Sequence, residues 1–271
     1  MEKIPATVCM LTRNSAQTLR RALESVAAFD DVVIFDGGST DNTVEIARSC
    51  GARVLSQDST CLAPDGRIKD YGCARNIFIR EAKYDWVLYM DSDESISQGL
   101  IAEVREIVAR EAQEIAFRIP IRICLEGQEL RASSNYPGWQ TRLFRRSSGL
   151  TFIKPVHERL SVTIHDPRVG ECRSPWYVHW TREYARNYLS HNLRYIRMQA
   201  ESHSRASLGT FLRRDIVGNL VIAAKVLVKT LYIRIRYGTR DVVPLSAEFG
   251  RALVPLVLLA LTLRTKLQKL A

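Results

Sequence analysis

The chain opens by alternating two hydrophobic periods. "ATVCMLT" (residues 6–12) is a short apolar run of strand type, and "NSAQTLRRALESVAAF" (14–29) repeats its apolar residues at helical spacing, opening on Asn14 or Ser15 as N-cap. The pattern recurs: "DVVIFDGG" (31–38) predicts a strand, "STDNTVEIARSCG" (39–51) a helix with Ser39 and Thr40 as its cap, and "ARVLS" (52–56) a short strand. "KDYGCARNIFIREAK" (69–83) then predicts a helix and "YDWVLYMD" (84–91) a fourth strand. Strands alternating with helices of this length imply βαβ units and a mostly parallel sheet, hence an α/β fold. Beyond residue 115 the pattern loosens into "EIAFRIPIRIC" and "TRLFRRSSGLTFI", later strands of which some are antiparallel, followed by one long helix over 181–204. There is no internal repeat. The expected division is a sheet domain over 1–204 and a helical extension over 205–271.

Open parallel sheets bind ligands at the carboxyl ends of their strands. Three polar clusters fall there: Thr12-Arg13-Asn14, Asp36-Gly37-Gly38 and Asp91-Ser92-Asp93. Any one could be an ordinary polar turn, but three at one edge suggest a site. In "LYMDSDES" (88–95) the carboxylates of Asp91, Asp93 and Glu94 are expected to crowd one small volume, where like charges repel. Either water solvates them or a hard divalent cation, Mg²⁺ or Mn²⁺, sits between them.

Hydrophobic residues at 46% and charged residues at 25% are those of a globular protein with a real core. The six cysteines lack any C-x-x-C pair and read as free thiols in a reducing cytosol; with no apolar leader in "MEKIPATVCMLT", a cytoplasmic location is expected. The net charge of +10 is concentrated late: from residue 201 onward twelve Lys or Arg face four Asp or Glu. In "RRDIVGNLVIAAKVLVKTLYIRIRYG" (213–238), Arg214, Lys225, Lys229 and Arg236 share one helical stripe on an otherwise apolar surface. The apolar run "ALVPLVLLALTL" (252–263) is shorter than the roughly 20 residues that span a bilayer. This predicts peripheral attachment to an anionic membrane at its inner face. A nucleic-acid partner would call for exposed aromatics among the cations. The alternative is a helical hairpin packed on the core or on another copy of the chain, a homo-oligomer.

"VIFDGGSTDNT" followed some fifty residues later by "WVLYMDSDE" resembles the family 2 glycosyltransferases, inverting nucleotide-sugar-dependent enzymes of the GT-A fold. The resemblance spans roughly residues 4–200. "ARNIFIREAKYDWVLYMDSDE" and "RLFRR…FIKPVHERL" look most similar to bacterial lipopolysaccharide-core glucosyltransferases. It implies a UDP-sugar donor, a glycan or glycolipid acceptor and a divalent cation held by Asp93, with Asp91 beside it contacting the ribose or the ion's surroundings. It further implies that Asp36 accepts the N3–H of uracil, although Gly37 stands where the family often has a second acid. Thr12, Arg13 and Asn14 would pack against nucleotide, and Arg75, ahead of Arg67 and Lys69, would meet the diphosphate. An inverting transfer also needs a base for the acceptor hydroxyl. Glu158 matches that position, His157 would orient it or touch phosphate, and Asp166 is the second candidate. Two other readings stay open: a nucleotidyltransferase, though "MLTRNSAQ" lacks the glycine-rich loop, and a catalytically idle membrane-binding module.

Overall fold

The computed structural model describes residues 2–110, 112–156, 158–163 and 165–268, so His157 lies outside the described residues. The chain forms two compact units, Met1–Arg122 with Pro137–His179, and Ile123–Tyr136 with Trp180–Ala271. This division differs from the expected break after 204.

In the first unit, strands β1 (Ile4–Thr12), β2 (Phe29–Asp36), β3 (Arg53–Ser56) and β4 (Trp86–Asp91) run parallel, joined by helices α1 (Ala16–Ser25), α2 (Thr43–Ser49) and α3 (Tyr71–Glu81). Then follow β5 (Glu94–Ile96), α4 (Gln98–Ala109), β6 (Ala116–Leu125), whose last residues belong to the second unit as does β7 (Gln128–Glu129), and then β8 (Gly138–Arg145), β9 (Phe152–Ile153), β10 (Arg159–Leu160), β11 (Val169–Glu171) and β12 (Trp176–Trp180). The strand order is β3-β2-β1-β4-β8-β6-β12-β5, while β9 and β10 pair separately. β8 lies antiparallel to both β4 and β6, as the looser pattern beyond residue 115 implied.

The uninterrupted apolar runs of β1 and β4 follow from burial on both faces. Ala6, Val8, Met10, Leu88 and Met90 pack on one side with Leu19 of α1 and Leu100 of α4. Cys9, Leu11, Val87 and Tyr89 face the other side with Phe78 of α3. There Phe78, Phe35 and Phe152 meet as rings 5.7 and 5.9 Å apart, and Phe152 lies edge-on to Tyr89 at 4.8 Å. The first helix is shorter than its pattern because Val26 and Phe29 turn inward, both essentially buried, to start β2.

Cys61 and Cys73 are joined in a disulfide, which corrects the expectation of six free thiols. Leu62 bridges Ile68, and the Lys69 amide donates to the Cys61 carbonyl at 2.9 Å. This return of the chain sets Cys61 beside the first turn of α3, capped by Asp70. Cys9, Cys50, Cys124 and Cys172 are free.

The second unit contains α5 (Arg182–Arg186), α6 (Tyr188–Ser204), a continuous helix α7 (Leu208–Tyr237) with a π-helical stretch over Phe211–Gly218, and α8 (Leu245–Gln268). The long helix expected over 181–204 is thus two, broken at Asn187. Segment 123–136 belongs here because it is bonded to the helices. Glu248 accepts from the Ser134 amide at 2.9 Å and Val243 donates to the Ala132 carbonyl at 3.1 Å. The basic stripe of α7 is also corrected. Arg214 pairs with buried Asp215 at 2.8 Å, and the Lys229 ammonium donates to the carbonyls of Ser134 and Tyr136 at 3.1 and 3.2 Å. Two of the four cations, though exposed, are thus bonded to the protein itself.

Phe78→Ala should lower the unfolding free energy by about 3–5 kcal/mol, since Phe78 is fully buried among rings that cannot collapse into its space. Urea denaturation followed by tryptophan fluorescence measures it.

Candidate active site

The ends of β1 and β2 are cross-linked by the D-G-G-S-T-D stretch itself. Asp36 is 8% exposed and accepts four hydrogen bonds, from the Thr12 and Ser39 hydroxyls at 3.2 and 2.5 Å and from the Gly38 and Ser39 amides at 3.0 and 2.8 Å. A carboxylate offers about four lone-pair directions. The N3–H of a uracil ring would therefore compete with donors already in place.

Asn14, at φ +52°, donates its amide to the Ser39 hydroxyl at 2.8 Å and accepts from the Thr40 amide at 2.8 Å. Ser39 and Thr40 accordingly do not cap a helix, correcting that expectation. They bind the β1 loop, and α2 starts later, after Asn42, with Asp41 accepting from the Thr43 amide at 3.0 Å. Arg13 is exposed, reaching the Asp65 carbonyl at 3.5 Å. Arg67 and Lys69 are exposed on the same connection.

At the end of β4 two buried arginines organise the acids. Arg75, on α3 and 3% exposed, donates Nε to Glu158 at 2.5 Å and Nη2 to Asp91 at 2.7 Å, with its guanidinium 4.8 Å from the Tyr89 ring centre. Its Nη1 is buried without a partner among the described residues. The fork expected to meet a diphosphate instead ties two carboxylates together. Arg142, on β8, stacks between Tyr89 and Trp176, 4.6 Å from each ring centre, and donates to Glu94 at 2.9 Å. Glu94 also accepts from the Asp91 amide at 2.8 Å and the Trp176 indole at 3.3 Å. Glu94 therefore turns inward as a brace for the D-S-D turn, which corrects its expected crowding with Asp91 and Asp93.

The titration of these groups follows from their surroundings. Burial disfavours the Arg75 charge, but Asp91 and Glu158 more than offset it and hold its pKa above the ordinary arginine value. Burial likewise opposes ionisation of Asp91, and Arg75 and Arg142 outweigh it, keeping its pKa below the usual carboxylate value. Glu94 is pushed upward by burial, against the pull of Arg142. Asp93 has an exposed surface, yet the protein crowding it, and secondly the Asp91 charge, push its pKa up to about 6. Asp166 lies apart and is bound through both oxygens by Arg168 at 3.0 and 2.9 Å, which lowers it to about 2.

Glu158 is held from α3. Asn76 donates to the Phe152 carbonyl at 2.9 Å and accepts from the Phe152 amide at 2.7 Å, while the Tyr71 amide donates to the Pro155 carbonyl at 2.9 Å. Gly72 is needed there, since a Cβ would stand 2.6 Å from the Lys154 carbonyl oxygen. His179, Arg142 and Glu94 in this role were not singled out from sequence. The His179 amide donates to the Asp93 carbonyl at 3.3 Å and its Nε2 pairs with the Ser95 hydroxyl at 2.7 Å. Burial, and secondly the Arg21 charge, lower its pKa to about 4.

No three His, Cys, Asp or Glu side chains cluster for a metal among the described residues. Mg²⁺ and Mn²⁺ are commonly held by one or two carboxylates plus substrate phosphates, and Asp91 with Asp93 meets that demand. Asp93, crowded by the protein and subject to the Asp91 charge, is the acid whose ionisation a divalent cation would favour.

The family model Glycosyl transferase family 2 matches residues 7–162. A TPR repeat-containing protein of Synechococcus elongatus is 31% identical over 153 residues, 56% of this chain and 34% of that protein. An uncharacterized glycosyltransferase of Rickettsia typhi is 32% identical over 132 residues, 48% of this chain and 41% of that protein. The chain thus spans well under half the length of these relatives. The lipopolysaccharide core biosynthesis glycosyltransferase LpsC of Rhizobium meliloti is 22% identical over 179 residues, 66% of this chain and 64% of that protein. Among solved structures, S. aureus TarS 1-349 with UDP-GlcNAc aligns at TM-score 0.46 and 14% identity, covering 99% of this chain and 92% of that one. The GT-A expectation stands, and with more than half of its residues inside the matched region the chain belongs to glycosyl transferase family 2.

Proposed function

We propose that the chain transfers a sugar, with inversion, from a UDP-sugar to a lipid-linked or cell-envelope glycan at the cytoplasmic face of the membrane. Glucose is the sugar suggested by the narrower resemblance to lipopolysaccharide-core enzymes. A relative named for lipopolysaccharide core biosynthesis supports an envelope acceptor.

The observation that carries this reading is the guanidinium of Arg75 bound at once to Asp91 and Glu158. It links the carboxylate at the strand edge expected to bind donor with the one expected to receive the acceptor's proton. Asp93, with Asp91 beside it, would hold Mg²⁺ or Mn²⁺, which when bound neutralises charge developing on the departing diphosphate. Thr12, Arg13, Asn14 and Asp36 form the loop edge against which the nucleotide would pack. Glu158 takes the proton of the acceptor hydroxyl, with Arg75 fixing its direction. Asp166 suits that task less, because a carboxyl lowered to about 2 is a weak base at neutral pH.

Glu158→Gln keeps an oxygen for Arg75 but cannot take a proton. Transfer should fall about 10²–10⁴-fold while UDP affinity, measured by calorimetry on the same preparation, stays within about twofold. Undiminished transfer would remove Glu158 as base.

A raised Asp93 pKa has a definite sign for metal binding. Below about 6 the carboxyl is protonated, and an entering ion must displace that proton. The affinity for Mn²⁺ in the presence of UDP should fall by up to about tenfold per pH unit below 6 and level off above it. In Asp93→Asn this dependence should flatten at a weaker affinity; an unchanged profile would exclude Asp93 as a ligand.

A further inference from the structure

We infer that α7 and α8 lie flat in the interface of an anionic lipid bilayer, meeting it through exposed apolar stripes without crossing it. This deepens the proposed transfer to an envelope acceptor by naming the surface that meets the membrane.

The stripes are regular. On α7, Val221, Val228, Leu231 and Ile235 are 44, 68, 63 and 78% exposed, while Ala223, Thr230 and Ile233 on the other side are buried. Spacings of seven, three and four return to one helical face. On α8, Phe249 and Leu253, 51 and 45% exposed, begin a second stripe continuing with exposed residues toward Leu267. Contiguous apolar surface of this extent marks an interaction site.

Length alone would permit crossing, since α7 and α8 have 30 and 24 residues and apolar windows. Their packing argues otherwise. The Lys266 ammonium donates to the carbonyls of Ser204 and Ala206 at 3.1 and 2.6 Å, and Gly250 sits against Tyr188. The polar helix α6, with His191, Arg194, Arg197 and Glu201, therefore accompanies α8 along its length. A spanning α8 would carry α6 and the irregular segment 123–136, bonded to Lys229 and Glu248, into hydrocarbon. Bilayers exclude lipid-exposed backbone of that kind. Lying in the interface leaves α6 on the aqueous side.

Charge identifies the lipid. Residues from 201 onward include twelve Lys or Arg and four Asp or Glu, and Lys225, Arg236 and Arg240 are exposed near the α7 stripe. Cations at an anionic surface strengthen binding by about fivefold each, a gain that salt screens.

The test is flotation of the full chain with phosphatidylcholine vesicles containing about one third phosphatidylglycerol, against phosphatidylcholine alone, without donor or acceptor. Strong binding to the anionic vesicles, weakened but not abolished by salt, is expected. The double variant Val228→Glu/Ile235→Glu should lose at least tenfold in partitioning while keeping its circular dichroism and UDP affinity. Lys225→Ala/Arg236→Ala should lose binding to anionic vesicles only. Spin labels placed singly at 221, 228 and 235 in a Cys50→Ser background should report one shallow depth. A spanning helix would climb about 21 Å across those positions.

Failure to float, or a graded depth, overturns the inference. So does a wild-type dimer that the double variant dissociates without any change in flotation, because a second copy would then cover the face. UDP binding in the same preparations is read independently, so a failed membrane test leaves the sugar-transfer reading standing.

Discussion

Arg75 is the charge on which the site's architecture depends. A guanidinium so deeply buried is tolerable only while oxygens that accept from it stay close and the Asp91 carboxylate beside it stays ionised, since leaving a buried charge unpaired typically costs about 3–5 kcal/mol. That demand draws Asp91, at the end of a parallel strand, and Glu158, on an irregular segment 83 residues beyond Arg75, onto one cation. Tyr89 lies between this arginine and Arg142, its ring facing a positive charge from each, so the end of β4 is fixed from two directions. Glu94 completes the arrangement from below by accepting the Asp91 amide. Asp93 alone among these acids is left without an arginine bonded to it; the protein crowding it, and secondly the Asp91 charge, raise its pKa.

The parallel half of the sheet was legible because both faces of β1, β2 and β4 are covered. Each strand is therefore a continuous apolar run, with its polar cluster where the strand must end. What the pattern could not supply is the partner of each polar residue. Glu94 meets Arg142 and Trp176, 48 and 82 positions away, and no local spacing distinguishes that buried brace from another acid in an acidic turn. The D-G-G-S-T-D stretch was correctly located at the edge, but its hydroxyls were assigned to a helix cap. The competing interaction, closure of the loop onto Asn14, runs between strands 25 or 26 residues apart. The disulfide was missed for the same reason, since a loop folding back on itself through Leu62 and Ile68 sets the cysteines together.

For α7 the helical period fixed which residues share a face but not which face turns toward the protein. Lys229, although exposed, donates to the carbonyls of Ser134 and Tyr136, and segment 123–136 is remote in sequence. The apolar side is left outward as a consequence. A basic stripe on an apolar helix therefore has two solutions, and the choice is made by unsatisfied backbone elsewhere.

The grip of α3 on the segment carrying Glu158 is made to main-chain atoms: the Phe152 amide and carbonyl, the Pro155 carbonyl and the oxygen of Lys154. Of the side chains along it, Phe152 packs among the rings of Phe78 and Tyr89, whereas outward-facing ones such as the exposed Ile153 take no part in that grip. They can be exchanged over evolutionary time while the carboxylate keeps its place. Tolerance and constraint are thus divided within one short stretch: outward-facing residues can be altered without rebuilding the scaffold beneath them.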